Sequence, residues 1–172
     1  NNLIPVYGNP PSDGYYTNLN IGTFCYYPMI SVGRLPAYYT SEAQSMVNKI
    51  IAYENEPPAK WSKDFVFITG GGTTNEQNGH ILKSNYDIGV FVDLPPIYGN
   101  PIRIFRTDIP GTITFNIKDS IKNTIDRGAL FVNFRGHAGS HDWEIAMNDP
   151  NTLSNGNKLP IILSLTCFTG EN

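Results

Sequence analysis

The chain has 172 residues, of which 40% are hydrophobic and only 16% are charged, and its formal net charge is −3. This length suits one domain with a substantial core, and intrinsic disorder normally needs more charge and less apolar content. The slightly acidic balance gives no reason to expect nucleic-acid binding, and no apolar run approaches the roughly 18 residues of a membrane span. Cys25 and Cys167 could pair in a structural disulfide, as cysteines of secreted proteins often do, but Cys25 lies among aromatic residues and is better interpreted as a small core residue.

The first 28 residues contain no regular element, because prolines and glycines interrupt every candidate. Asp13 is interpreted first as a turn former, and second as a cation ligand or a group that orients a catalytic side chain. A short strand is predicted over 29–35. Arg34, near its end, is interpreted as a surface or loop-bracing residue in preference to an anion ligand.

Strands and helices alternate along the rest of the chain. The predicted elements are a helix capped by Ser41 and Gln44 and ended by Pro57, a strand over 64–68, a helix from about Thr74, a loop over 90–101, a strand over 102–105, a helix over 117–128, a strand over 130–134 and a strand that runs into Cys167. This alternation predicts an α/β sandwich with a largely parallel sheet flanked by helices.

Two of the predicted strands end in a reactive side chain. The first leads into Gly136-His137-Ala138-Gly139 and the second into Cys167, and both are predicted to be buried. If these strands are parallel, His137 and Cys167 emerge at the same carboxyl edge, where open α/β sheets usually place their sites. The spacing of 30 residues (167 − 137) is enough for a crossover connection.

A thiol beside an imidazole is a nucleophile beside its base. A buried cysteine on its own is usually a core residue, and a histidine in a glycine loop is usually a turn residue. The prediction therefore depends on their combination. An oxyanion would need donors, for which we predict the backbone N–H of Ala138 or Gly139 and that of Cys167. The pattern therefore predicts a cysteine peptidase or related acyl-transfer enzyme acting on a peptide or protein.

The glycine loop over 70–74 is a second candidate feature. Gly71 and Gly72 would let the backbone approach a bound peptide. The loop would alternatively cradle a phosphate, although it contains neither GK[ST] nor a complete GxGxxG. Glu76 and His80 follow on the next helix, where His80 is predicted to be an exposed or half-buried residue without a catalytic role.

A third group of polar residues follows His137. His141, Asp142 and Glu144 suggest metal binding, but no second cluster of Cys or His supports a zinc site. We expect His141 to line or flank the site, and we predict that His141 and Trp143 contact the substrate.

Several stretches resemble the gingipain-type cysteine peptidases, family C25, and are most similar to the sortase-like members of the type IX secretion system of Bacteroidota. They are IPVYGNPPSDGYYTNLN, VGRLPAYYTSEAQSMVNKIIAYE, GGGTTNEQ, VNFRGHAGSHDWE and LPIILSLTCFTGEN. The last two are the specific ones. The resemblance implies a caspase-like fold, peptide-bond cleavage or transpeptidation, His137 as base and Cys167 as nucleophile.

The resemblance also implies export, with a secreted, cell-surface or outer-membrane-associated location and with other secretion or cell-envelope proteins as further partners. It implies no required cofactor, although Ca²⁺ is compatible with it and Asp13 is the one weak ligand candidate. Some gingipains carry an assisting acid just after the strand before the glycine loop, whereas residues 69–72 hold none. Where Arg-specific members place an Asp, this chain has Ile81 or Leu82, and Leu82 favours an apolar contact.

We expect residues 1–172 to form a single α/β caspase-like peptidase domain that is truncated at both ends, because the family continues past Cys167 and has a strand before Asn1. Truncation of this kind can leave both reactive side chains in place without leaving an active enzyme. The alternative is a catalytically silent cell-surface binding or interaction domain that retains the fold, which the low charge and the many Tyr and Asn residues would suit.

Overall fold

The computed structural model describes residues 13–17, 29–93, 98–107, 115–139, 142–145 and 149–167. The chain divides into two compact units, residues 1–48 and 49–172. Helix α1 (Gly14–Thr17) lies in the first unit, and helix α2 (Thr40–Asn55) runs from the first unit into the second. That one domain covers the chain stays a prediction.

The second unit is built on a four-stranded parallel sheet. Its strands are β1 (Asp64–Thr69), β2 (Asn100–Phe105), β3 (Phe131–Arg135) and β4 (Ile161–Leu165), in the order β2-β1-β3-β4. Parallel neighbours need long crossovers, and α3 (Thr74–Phe91) and α4 (Phe115–Arg127) provide two of them. The predicted α/β fold with helices flanking a parallel sheet is confirmed.

Strand β1 contributes to the core on both faces of the sheet, since successive side chains of a strand point to opposite sides. Val66 and Ile68 pack in one buried cluster with Ile121 of α4. Phe67 packs in a second cluster with Ile88 of α3. The two crossover helices therefore cover opposite faces, which is the predicted sandwich.

The ends of two helices follow local signals in the sequence. Thr73 caps α3, and its side chain and that of Glu76 form a reciprocal capping box. Gly128 has φ +101° directly after α4, a conformation that favours glycine and ends the helix. Among the described residues, no helix is long and apolar enough to cross a membrane.

Several predicted elements differ from the structure. The strand expected over 29–35 is irregular and exposed, and no described strand pairs with it. The capping box of Ser41 with Gln44 is wrong, because α2 begins at Thr40 and the Gln44 amide donates to Asn48 Oδ1 over 2.9 Å. No residue of α2 is buried.

The region predicted as a loop over 90–101 is shorter, because α3 continues to Phe91 and β2 already begins at Asn100. Pro101 lies inside β2, where it cannot donate a ladder hydrogen bond. A proline is tolerated there because β2 is an edge strand of the described sheet.

Strand β4 was predicted to be buried, and this is wrong for the described structure. Ile161 and Ile162 are 59% and 52% exposed, whereas Val132 and Phe134 of β3 are fully buried. The difference follows from position, since β4 lies at an edge of the described sheet and has only β3 beside it.

Candidate active site

The two reactive residues singled out in the sequence lie at the carboxyl edge of the sheet. In the β3–β4 ladder, Arg135 pairs with Leu165. His137 and Cys167 are each the second residue beyond this pair, so they leave the sheet at equivalent positions of neighbouring parallel strands. Cys167 is exposed and forms no disulfide within the described part of the chain. Cys25, the other cysteine, lies outside the described residues.

Beyond His137, Ala138 pairs with Trp143 in an antiparallel bridge. The Gly139 N–H donates to the carbonyl of Asp142 over 3.0 Å. On the other side of the bridge, the Glu144 N–H donates to the carbonyl of His137 over 3.0 Å. Ala138 lies between these two hydrogen bonds, and in an antiparallel pair the N–H of such a residue points away from the paired segment. Of the two predicted oxyanion donors in this segment, Ala138 therefore directs its N–H away from the paired residues, whereas the N–H of Gly139 is hydrogen-bonded to Asp142.

The Trp143 side chain links the two strands that carry the reactive residues. Its ring stacks on Phe134 of β3, with 4.4 Å between centroids and 19° between planes. Its Nε1–H donates to Ser164 Oγ of β4 over 3.0 Å. These contacts brace the site, while substrate contact by Trp143 stays a prediction, and His141 lies outside the described residues.

Glu76, which the sequence placed only on a helix, reaches the imidazole of His137. Glu76 Oε2 lies 3.4 Å from His137 Nε2 and accepts hydrogen bonds from the N–H groups of Gly72 and Thr73 over 2.8 and 3.1 Å. The hydrogen bond to His137, followed by that from Gly72, lowers the pKa of Glu76. An acid thus lies beside His137 although residues 69–72 hold none. The available signal was the capping box directly after a strand, which places a carboxylate at the carboxyl edge.

A second carboxylate holds the glycine loop. Glu144 Oε1 accepts the N–H of Gly71 over 2.8 Å, and Glu76 Oε2 accepts that of Gly72. Gly71 has φ +126°, a conformation that favours glycine. The loop amides therefore already bind carboxylates of the chain itself, and a phosphate would meet two negative charges there, which argues against the phosphate cradle. Peptide contacts by Gly71 and Gly72 stay a prediction.

His80 lies one turn beyond Glu76 on α3 and packs edge-to-face on His137, with 6.4 Å between ring centroids. The prediction of a half-buried helical histidine is confirmed. Its Nε2 is buried and has no hydrogen-bond partner among the described residues. Burial, followed by the electrostatic effects of His137 and then of Arg135, lowers the pKa of His80.

The lowered pKa of His80 predicts a loss of stability as the pH falls below ~6.5, the usual value for histidine. Below that pH the unfolded chain binds more protons than the folded chain, so the free energy of unfolding falls as the pH falls. The lowered pKa of Glu76 predicts a further loss of stability as the pH falls below ~4.3, the usual pKa of glutamate. Urea unfolding between about pH 7.5 and about pH 5 should show a shallower pH dependence in His80→Gln than in the parent. Equal slopes would contradict this assignment.

The weak cation candidate, Asp13, lies in the first unit and is paired with Arg34. The Arg34 Nε donates to both carboxylate oxygens over 2.9 and 2.7 Å, and this hydrogen bonding is the main cause of the lowered pKa of Asp13. Both carboxylate oxygens of Asp13 thus face a guanidinium, and a role of Asp13 as a calcium ligand stays a prediction. The described ranges contain no group of three or more His, Cys, Asp or Glu residues that could hold a metal ion.

The parallel sheet flanked by helices matches the caspase-like α/β fold of a gingipain. The family model described as Peptidase family C25 matches residues 1–171. The chain therefore belongs to peptidase family C25, and the resemblance to the gingipain type is confirmed.

Two solved structures share this fold. The chain is 18% identical to the Arg specific cysteine proteinase gingipain R (RGPB), with a TM-score of 0.66 over 97% of this chain and 38% of that one. The complex of Porphyromonas gingivalis RgpB pro- and mature domains gives a TM-score of 0.65 at 18% identity, over 93% of this chain and 37% of that one. The chain thus spans less than two fifths of these relatives. A search of curated proteins gives no significant match.

Proposed function

We propose that this chain carries the Cys-His centre of a cysteine peptidase, with Cys167 as nucleophile and His137 as base. The observation that carries the proposal is the emergence of both residues from equivalent positions of neighbouring parallel strands. Membership of family C25 supports it. The exposure of the thiol supports it further, because a substrate carbonyl can approach the sulfur.

In this mechanism His137 takes the thiol proton through Nδ1. Nε2 faces Glu76, and an Nε2–H directed at that carboxylate selects the tautomer whose Nδ1 holds a lone pair. The sulfur then bonds to the substrate carbonyl carbon, and the carbonyl electron pair moves onto oxygen. Collapse of this intermediate breaks the C–N bond, and the imidazolium of His137 gives its proton to the leaving amine.

The oxyanion of the intermediate would be held by backbone N–H groups of Ala138 and Cys167. The outward direction of the Ala138 N–H supports its role, and the hydrogen bond of the Gly139 N–H to the carbonyl of Asp142 makes Gly139 the weaker candidate. Water resolves the resulting thioester in a hydrolase, whereas an amine resolves it in a sortase-like transpeptidase. The choice depends on which acceptor reaches the acyl-enzyme.

The proposal extends to an exported enzyme, secreted or associated with the cell surface or outer membrane, that acts on secreted proteins and meets other cell-envelope proteins. The resemblance to sortase-like members of the type IX secretion system supports this part. Arg specificity is stated for the structural relative only. In this chain Leu82 of α3 is 72% exposed, so its side chain is accessible to a substrate. This exposure supports an apolar contact with the substrate at the position where an Arg-specific pocket would need an acid.

The test is covalent trapping. A library of peptidyl acyloxymethyl ketones is incubated with the Cys25→Ala chain, and intact mass is recorded. We expect one adduct, on Cys167, that is absent in Cys25→Ala/Cys167→Ala and slow to form in Cys25→Ala/His137→Ala. Adding an amine acceptor with a trapped sequence as substrate then separates hydrolysis from transfer. A chain that binds peptides equally well with Cys167→Ala and forms no adduct would instead be the silent interaction domain.

A further inference from the structure

Glu144 lies where three segments of the carboxyl edge meet. Its Oε1 accepts the N–H of Gly71 over 2.8 Å and the N–H of His137 over 2.7 Å. Its Oε2 lies 3.5 Å from Nη1 of Arg106, at the end of β2. One largely buried carboxylate, 16% exposed, thus contacts the segments that follow β1, β2 and β3.

The glycines at two of these strand ends leave room for the carboxylate. A Cβ at Gly136 would lie 2.5 Å from Glu144 Oε1, and a Cβ at Gly70 would overlap the same atom. Both strand ends therefore pass against the carboxylate at a distance that only glycine allows. This close fit fixes where the backbone of the following residues lies.

Arg106 completes the arrangement as a buried cation. Its side chain is only 4% exposed, and its backbone N–H donates to the carbonyl of Thr69 over 3.0 Å. A buried charge is strongly unfavourable without an opposite charge nearby. Glu144 supplies that charge, so the guanidinium and the two backbone amides meet at one carboxylate.

We propose that Glu144 is a positioning residue that sets the location of the His137 backbone, and through it the distance between the imidazole and the Cys167 thiol. This inference deepens the proposed function and rests on it for its catalytic meaning. Hydrogen bonds from an N–H to a carboxylate are short and charge-assisted, which suits such a role. Glu144 acts on the backbone of His137, whereas Glu76 acts on its ring.

A double-mutant cycle in the Cys25→Ala background tests the inference, with the alkylation rate of Cys167 at neutral pH as readout. We expect Glu144→Ala to remove most of the acceleration of alkylation that His137 provides. A catalytic group that is displaced by about 1 Å can lose about 10²-fold in rate. In the His137→Ala background, Glu144→Ala should then lower the alkylation rate by almost nothing more. A folded Glu144→Ala chain that keeps the full His137-dependent rate, or additive losses in the cycle, would overturn the inference.

Asp126→Ala is the matched control. Asp126 also binds a loop amide, that of Ser154 over 2.5 Å, and pairs with Lys122, but no described contact joins it to His137. We expect its alkylation rate to stay within about twofold of the parent, as for a substitution without a shared partner. A loss as large as that of Glu144→Ala would mean general destabilisation and would overturn the positioning role.

Glu144→Gln covers the case in which the alanine variant does not fold. Its amide oxygen still accepts both N–H bonds but carries no charge. We therefore expect the amide proton resonances of Gly71 and His137 to move upfield in Glu144→Gln and to stay unchanged in Asp126→Ala. Unchanged resonances in Glu144→Gln would overturn the inference. If His137→Ala alone leaves the alkylation rate unchanged, the proposed function fails, and these resonances still decide whether Glu144 holds the two segments.

Discussion

Replacing His137 by alanine is expected to slow peptide-bond cleavage by ~10²- to 10⁴-fold, the usual contribution of a positioned general base. Replacing Glu76 by glutamine should cost about fivefold or less, because exposed ion pairs contribute little. The two side chains are 54% and 42% exposed and 3.4 Å apart. The measurement is kcat/KM for a peptide selected by the trapping experiment, because this ratio reports transition-state stabilisation.

His80→Gln is the histidine control for this series, since His80 packs on His137 but lies outside the proposed proton transfer. Its kcat/KM should stay within a few-fold of the parent. If Glu76→Gln loses as much activity as His137→Ala, the prediction that the base contributes far more to the rate than the residue orienting its ring is wrong. If His80→Gln does so, the base has been assigned to the wrong histidine.

Gly136→Ala is expected to lower the free energy of unfolding by ~1–3 kcal/mol, the usual cost of forcing atoms into a packed region. The new Cβ would lie 2.5 Å from Glu144 Oε1, 2.8 Å from Phe134 Cζ and 3.2 Å from Gly70 Cα. Phe134 is fully buried and stacked on Trp143, so it has little freedom to move away. Urea unfolding measures the effect through the midpoint and the slope.

Gly79→Ala provides a control with the opposite expected sign. Gly79 lies within α3, and a Cβ there would meet no atom of the described residues within 4 Å, apart from its chain neighbours and the backbone of its own helix. An alanine at such a position stabilises a helix by ~0.5–1 kcal/mol relative to glycine. Equal effects of the two substitutions would contradict the close packing at Gly136.

Short apolar runs and turn residues predict most of the sheet, because both are local features of the sequence. The strand before His137, the strand before Cys167 and the stop at Gly128 are all visible in this way. Parallel pairing of the last two strands then brings the reactive residues to one edge. The strand predicted over 29–35 fails because a strand also needs a pairing partner, which local sequence does not specify.

The supporting contacts of the site are not visible in the sequence, since they join distant positions. Glu144 and Gly71 are 73 residues apart, and Glu76 and His137 are 61 residues apart. Their contact depends on how three strand ends converge. The glycine loop shows the same limit, since its amides suggest an anion site in the sequence, and the anions turn out to be the chain's own carboxylates.

The central claim, that His137 activates Cys167, is tested most directly by the alkylation rate of Cys167 against pH in Cys25→Ala protein, with and without His137→Ala. An ordinary thiol is only a few per cent thiolate at neutral pH, so unassisted alkylation is slow there. We predict that the parent reacts at least about tenfold faster than His137→Ala near pH 7 and that the two rates converge at high pH, where both thiols are ionised. Identical pH profiles for the two proteins would contradict the claim.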